Sequence, residues 1–266
     1  MFQNLARLAR YRGLIQSLVA RELKARYRGS VLGFFWSFIN PLLLLLVYSF
    51  VFTYVMPSSQ DPRVMPYSLF MFCGILPWTW FSTSLMESAS VLISGGNLIK
   101  KVLFPAEVLP IVTVLANMIH FFFGLVILAG FLVYYQRPLH LSELALFPVV
   151  VLVQLILTTA FALLLSALTV HFRDIKDILS NLLTFWFFAT PIIYPYFLFP
   201  EGHWQGRLLR LNPFTHIAIT YQEILFFEGP VGHIRWLLVL GAISVVFFLF
   251  CYWLFDRLRD SFAEEV

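Results

Sequence analysis

Residues 29–56 read GSVLGFFWSFINPLLLLLVYSFVFTYVM, and none of the 24 positions after Leu32 carries a charge. Arg21, Lys24, Arg26 and Arg28 stand just before this run. At about 1.5 Å of helix rise per residue it can cross a hydrocarbon core of roughly 30 Å. Backbone amides find no water in that core, so the segment must be a helix that satisfies its own hydrogen bonds. The basic block holds its first end on the cytoplasmic side. A chain built around such a segment works in or across a membrane.

The rest of the chain is of the same kind. Of 266 residues, 60% are apolar and only 12% are charged, about half the charge of a soluble domain. The expected fold is an all-α integral membrane protein with six transmembrane helices, near 33–56, 67–92, 109–135, 145–170, 177–195 and 234–255. An N-terminal amphipathic interface helix occupies 1–32, ahead of the six-span domain 33–266. Outer-side re-entrant helices lie between spans five and six, at 196–233. The cytoplasmic pieces then hold thirteen of the 18 Lys and Arg residues, which puts both termini inside the cell inner (cytoplasmic) membrane. The net charge of +4 reports topology and contact with anionic membrane lipids, with no nucleic acid implied. The first apolar run begins too late, is too long and lacks an A-x-A-like end, so it is expected to remain as a span. Cys73 and Cys251 fall inside apolar segments and read as small core residues.

Ahead of the first span, Leu5, Leu8, Ile15, Leu18 and Val19 recur at helical spacing against Arg7, Arg10, Arg21, Lys24 and Arg28. Such a helix lies in the membrane interface with its apolar side dipped in, as an anchor alone or as part of a gate. Gly13 is expected to break it in two, and Asn40-Pro41 to kink the first span. Aromatic residues make up 18% of the chain, more than two interfacial belts require. They crowd the first span, with Phe38, Tyr48 and Phe52 among them, and the fifth, with Trp186 and Tyr194. Any single ring is accounted for by lipid contact, whereas the set is expected to include a path lining. Aromatic faces suit a sugar polymer because they touch its C–H faces without trapping it by strong hydrogen bonds.

The loop at 93–108, ISGGNLIKKVLFPAEV, is more apolar than a simple connection needs. Asn97 is expected to cap a short helix carrying Leu98, Lys100 and Lys101, with Phe104 and Pro105 closing it. Apolar residues on a loop helix dock into a partner's groove or lie back on the membrane. In 171–177 the charges Arg173, Asp174, Lys176 and Asp177 either cap the adjoining helices or contact a partner. The apolar stretches of 196–233 are too short to span and read as re-entrant or interfacial helices shaping an exit, with Asn212-Pro213 between them.

Catalytic signatures are missing. The chain has no G-x-x-x-x-G-K-[ST], no zinc spacing among its six histidines and no G-x-S-x-G elbow. Glu87 is the one acid placed within a span, expected to snorkel or to pair with Lys100 or Lys101.

Six segments carry a resemblance: LVARELKARYRGSVLGFFWSFINPL at 18–42, GILPWTWF at 74–81, NLIKKVLFP at 97–105, FRDI at 172–175, TPIIY at 190–194 and NPF at 212–214. In this order over one topology, they resemble the membrane subunit of a type 2 ABC exporter of the bacterial polysaccharide-export family, which includes O-antigen, capsule and teichoic-acid permeases. The resemblance implies a permease rather than an enzyme, a homodimer of this chain with two copies of a separate ATPase. This chain would hold no cofactor, because ATP and magnesium bind the ATPase. It implies coupling elements at 95–107 and 171–177, with Asn97, Leu98, Lys100, Lys101, Phe104, Arg173 and Asp174 seated on that partner. It further implies a channel lined by Phe38, Tyr48, Phe52, Trp186 and Tyr194. The substrate would be a glycan on undecaprenyl diphosphate or a similar lipid, with Arg26 and Arg28 near the entrance for the diphosphate. Gln222-Glu223 departs from the pattern, since an arginine-containing pair is expected in the outer helices.

Other readings differ in what they require. A permease of the same fold could export a drug, a lipid or another small hydrophobic substrate. A membrane-embedded acyl- or glycosyl-transferase would need a cluster of acids or histidines near one face, which the sequence lacks. A purely structural assembly protein would have no use for two coupling-like loops.

Overall fold

The computed structural model describes residues 11–26, 28–55, 61–100, 104–137, 140–199 and 203–265. Among the described residues all regular structure is helical. The order is α1 (Arg12–Arg26), α2 (Trp36–Phe50), α3 (Tyr67–Ser94), α4 (Gly96–Ile99), α5 (Val108–Tyr134), α6 (Leu141–Leu144), α7 (Phe147–His171), α8 (Ile175–Phe188), α9 (Trp204–Leu211), α10 (Pro213–Leu225) and α11 (Ile234–Glu265). Among the described residues five stretches are long and apolar enough to cross a membrane: Trp36–Val55, Tyr67–Ser94, Val108–Tyr134, Leu141–His171 and Ile234–Arg259. They fall on five of the six expected spans.

The remaining stretch, expected as a span over 177–195, behaves differently. Its helix α8 has 14 residues, about 21 Å of rise, and stops at Phe188 short of a full hydrocarbon core. Pro191 offers no amide donor and disfavours helical backbone at Thr190, so the chain continues as turns. The space beyond is filled from 196–233. The α10 residues Phe214 to Leu225 are all buried. Phe214 lies 5.0 Å from Trp78 and 4.9 Å from Phe81, while Phe226 lies 5.5 Å from Phe70, so α10 climbs beside the first half of α3.

α3 is the centre of the molecule, packed by α2, α5, α7, α8 and α10. Close approach is possible because its side chains are small where neighbours press. A methyl group on Gly74 would sit 3.2 Å from Ile192 Cγ2, in the turn after α8. Polar anchors add direction: Gln154 of α7 donates to the Pro77 carbonyl at 2.8 Å, and Trp80 Nε1 donates to the Val114 carbonyl at 3.1 Å.

Three local expectations meet the described residues. Gly13 is the second residue of α1, and the segment before Tyr11 lies outside the described residues. Leu18 and Val19 of α1 are buried against Val108 and Val112 of α5. α2 runs through Pro41 as one helix. Asn97 is not a cap: α4 starts at Gly96, Gly95 takes the cap position, and no side chain closes it.

Candidate functional site

The chemistry-bearing residues gather at the two ends of the bundle and on two of its faces. At the end holding Ser94, Val108 and His171, Leu98 and Phe104 pack onto an apolar cluster that includes Leu92, Leu109, Val170, Tyr252 and Phe262. The loop after α3 and the turn after α7 therefore rest on one support. Glu107, buried behind Phe104, pairs with Arg259 of α11 at 3.8 Å and ties the loop's return to the last helix. Asn97, Lys100, Arg173 and Asp174 stay exposed at this end. Lys101 lies outside the described residues.

α1 is fixed by a polar triangle. Arg26 Nη2 meets Glu87 Oε2 at 2.5 Å, Arg26 Nη1 donates to Asn117 Oδ1 at 2.9 Å, and Asn117 Nδ2 donates to Glu87 Oε2 at 2.7 Å. The triangle joins α1, α3 and α5. Glu87 thus finds its cation on α1, not on Lys100 of the loop that follows α3. Arg26 also borders a cavity of about 390 Å3 between α2, α3 and α5, with Trp36, Asn40, Thr83 and Asn117. Arg28, just past the end of α1, is exposed. The two arginines expected to act together are therefore held differently, one paired and one open.

The five expected lining aromatics also divide. The Phe38 ring lies 4.9 Å from that of Phe123 of α5, tilted by 44°. Tyr48 lies 6.4 Å from Phe52, and Phe52 lies 4.6 Å from Tyr67 of α3, so all three rings turn toward the bundle. The open face of α2 is formed by Leu43, Leu46, Val47, Phe50 and Tyr54 instead. Trp186 and Tyr194 do come together, in a cavity of about 550 Å3 with Phe185, Trp204 and Leu208. Ile178, Leu182 and Phe185 make a matching open stripe on α8. Phe50, Tyr54 and Phe185 belong to the aromatic sets of the first and fifth expected spans but not to the five lining residues, although the helical spacing of Ile178, Leu182 and Phe185 marks the stripe.

The cavity is held by a residue that spacing could flag only in part. Asn212 caps α10, accepting from Phe214 N at 3.0 Å, as Asn before Pro at a helix start should. The same side chain accepts from Trp186 Nε1 at 2.7 Å and donates to Ala189 O at 3.1 Å and Thr190 Oγ1 at 2.9 Å. The NPF and TPIIY segments are thus one junction. Gln222 donates to Pro191 O at 2.9 Å and holds the same turn from the other end of α10.

At the opposite end, His216 of α10 stacks on Trp236 of α11 at 5.5 Å and 9°. Its Nε2 faces the Arg210 carbonyl at 3.0 Å, and its Nδ1 faces His233 Nε2 at 3.2 Å. A carbonyl only accepts, so His216 Nε2 bears the proton and His233 Nε2 donates to His216 Nδ1. Burial, with His216 and Arg210 nearby, lowers the His233 pKa to about 4. Glu223 accepts from His233 N at 3.0 Å. The Gln222-Glu223 pair thus fastens α10 at both of its sides.

Residues 13–226 match the family described as ABC-2 type transporter. The chain is 43% identical over 267 residues, covering 100% of both chains, to the "O-antigen export system permease protein RfbA" of Myxococcus xanthus. It is 33% identical over 254 residues, 94% of both chains, to a protein of the same name from Klebsiella pneumoniae. Similarity extends to the "Polysialic acid transport protein KpsM" of Escherichia coli, 24% identical over 217 residues, 79% of this chain and 80% of that one.

Proposed function

The chain belongs to the ABC-2 type transporter family, and on that premise we propose that it is the permease subunit of an ATP-driven exporter that passes a polysaccharide across the cytoplasmic membrane. The observation that carries this reading is the end-to-end similarity to an O-antigen export permease. In this reading two copies of the chain pair with two copies of a separate ATPase, which binds the ATP and magnesium. The basic end faces the cytoplasm with both termini, in accord with the Lys and Arg bias.

ATP binding closes the ATPase pair and moves the exposed Asn97, Lys100, Arg173 and Asp174. Leu98 and Phe104 pass that movement into the cluster shared by α3, α5, α7 and α11, which supports treating the two loops as one lever. The partner's energy enters this chain as a shift between two conformations. The open faces of α2 and α8 turn toward the second copy, and the glycan slides between rings that hold it weakly, as any conduction path must. The carrier is undecaprenyl diphosphate or a similar lipid, met at the basic end by the open Arg28, with Arg26 behind it at the α2–α3–α5 cavity.

Deleting the gene and locating the cell's long lipid-linked glycans tests the export reading. Loss from the surface with accumulation inside is expected, and unchanged surface glycan would overturn it. The coupling assignment has its own test. Lys100→Glu with Lys101→Glu should leave a folded chain that no longer exports, and normal export by that variant would remove the assignment.

A further inference from the structure

Two cavities at the end opposite the coupling loops share a wall. One of about 460 Å3 and one of about 520 Å3 are both lined by Tyr196, Phe197 and Glu223. Glu223 is only 8% exposed, yet among the described residues no cation lies within ion-pair distance of it. Its Oε2 accepts from the His233 amide, while Oε1 has no donor among the described residues. A carboxylate withdrawn from water with spare acceptor capacity is costly unless a donor arrives from elsewhere. Rings flank it. Trp236 lines the second cavity with its face stacked on His216, and the Tyr196 ring is 6.1 Å from that of His233.

We propose that this double cavity is a saccharide-binding subsite on the exit side of the permease, where Glu223 Oε1 accepts from sugar hydroxyls and Tyr196 and Trp236 take the C–H faces. The proposal rests on the export reading and its orientation. Aromatic walls with a few placed polar groups are the usual make-up of a small-molecule site, and each volume falls in the ordinary range for one. Hydroxyl-to-carboxylate bonds are charge-assisted and about twice as strong as neutral ones, so a few suffice for capture without permanent retention. Other ligand chemistries fit less well. An anion would meet the Glu223 carboxylate at the shared wall. In the first cavity Arg63 and Arg137 are already engaged, with Asp61 at 2.6 Å and Glu228 at 3.9 Å, and in the second Arg207 and Arg210 share the lining with the Glu223 carboxylate. A metal ion would need more donors, and among the described residues no group of three His, Cys, Asp or Glu is placed to hold one. A subsite here would catch each emerging stretch of polymer and disfavour its sliding back.

The test is saturation-transfer NMR on the full chain in lipid nanodiscs, with oligosaccharides released by mild acid from the host cell's surface polysaccharide as the probe. Saturable binding is expected. Glu223→Gln keeps an oxygen for the His233 amide and so keeps the fold, and it should weaken binding about tenfold. Trp236→Ala should weaken it at least as much, and Phe250→Ala, on an exposed part of α11, should not change it. Unchanged binding by Glu223→Gln, no binding by the unmodified chain, or capture of tetramethylammonium in place of the oligosaccharide would each overturn the subsite. Failure of the export reading looks different, because it is surface glycan that persists after gene deletion whatever the cavity binds.

Discussion

α3 and α2 are both long, ring-rich helices, yet they occupy opposite situations. The apolar window of α3 is 78% buried and that of α2 only 6%, although α3 is the less apolar of the two. In water the more apolar helix would go inside. Within lipid no such force separates helices, and close packing with satisfied polar groups decides instead. α3 carries Gly74, Ser84 and Ser88 among its rings, so neighbours approach it closely, and its Pro77 carbonyl and Trp80 Nε1 are bonded to α7 and α5. α2 offers leucines and rings in a row, and those remain open to lipid or to a second copy.

The largest effect should separate these helices directly. Trp80 is 2% exposed and bonded to Val114. Trp80→Ala should cost about 3–5 kcal/mol, whereas Phe50→Ala on the open face should change stability by less than about 0.5 kcal/mol. Thermal unfolding of both variants in detergent decides it. A large loss at Phe50 would break the contrast and show the open face of α2 seated on another chain.

Next comes the junction beside α3. Asn212→Ala strands Trp186 Nε1 and the Phe214 amide and should cost about 2–3 kcal/mol. Asn212→Asp should recover the two accepted bonds but not the two donated ones, and an equal loss in both variants would show that accepting is not what matters.

A smaller effect is expected where α3 meets solvent. The Arg26 and Glu87 side chains are 21% and 38% exposed, so screening limits Glu87→Gln to under about 1 kcal/mol. Its mark should be faster protease cleavage around α1 with little change in global melting. Intact protection of α1 would show that the burial of Leu18 and Val19 on α5 holds the helix without the triangle.

A pH response is expected at the far end of the bundle. His233 has its pKa lowered from 6.5 to about 4, so the folded state keeps it neutral where the unfolded chain takes up a proton. Its stabilisation is whole above pH 6.5 and falls as pH drops toward 4. Melting at pH 7 and pH 5 should show a modest decline that His233→Gln reduces.

Part of this was legible early. An uncharged run behind a basic block needs no tertiary information, and neither does an Asn-Pro pair at a helix start. The loop at 93–108 announced itself because Leu98 and Phe104 are too apolar for a free connection. By contrast, Arg26 and Glu87 are 61 positions apart, and nearness in sequence points Glu87 toward Lys100 and Lys101 instead. Trp186 and Asn212 are 26 apart, and neither residue type alone announces the other. Residue type within a helix marks a ring as a lining candidate but not its direction. Which of them turn outward depends on the neighbouring helices, and so Phe38, Tyr48 and Phe52 proved to face the bundle.

Sequence alone determined that this chain is a helical membrane protein, and where the five long apolar helices of the described residues lie among the six expected spans, because hydropathy and charge act through local composition and the bilayer is a solvent of known thickness. Tertiary structure decided that 177–195 is a short helix completed by α10, that α3 is the core and α2 the periphery, and that Glu223 faces a cavity. Those outcomes depend on which surfaces meet. In a medium where every apolar face is equally content, contact geometry and the pairing of distant polar groups make that choice.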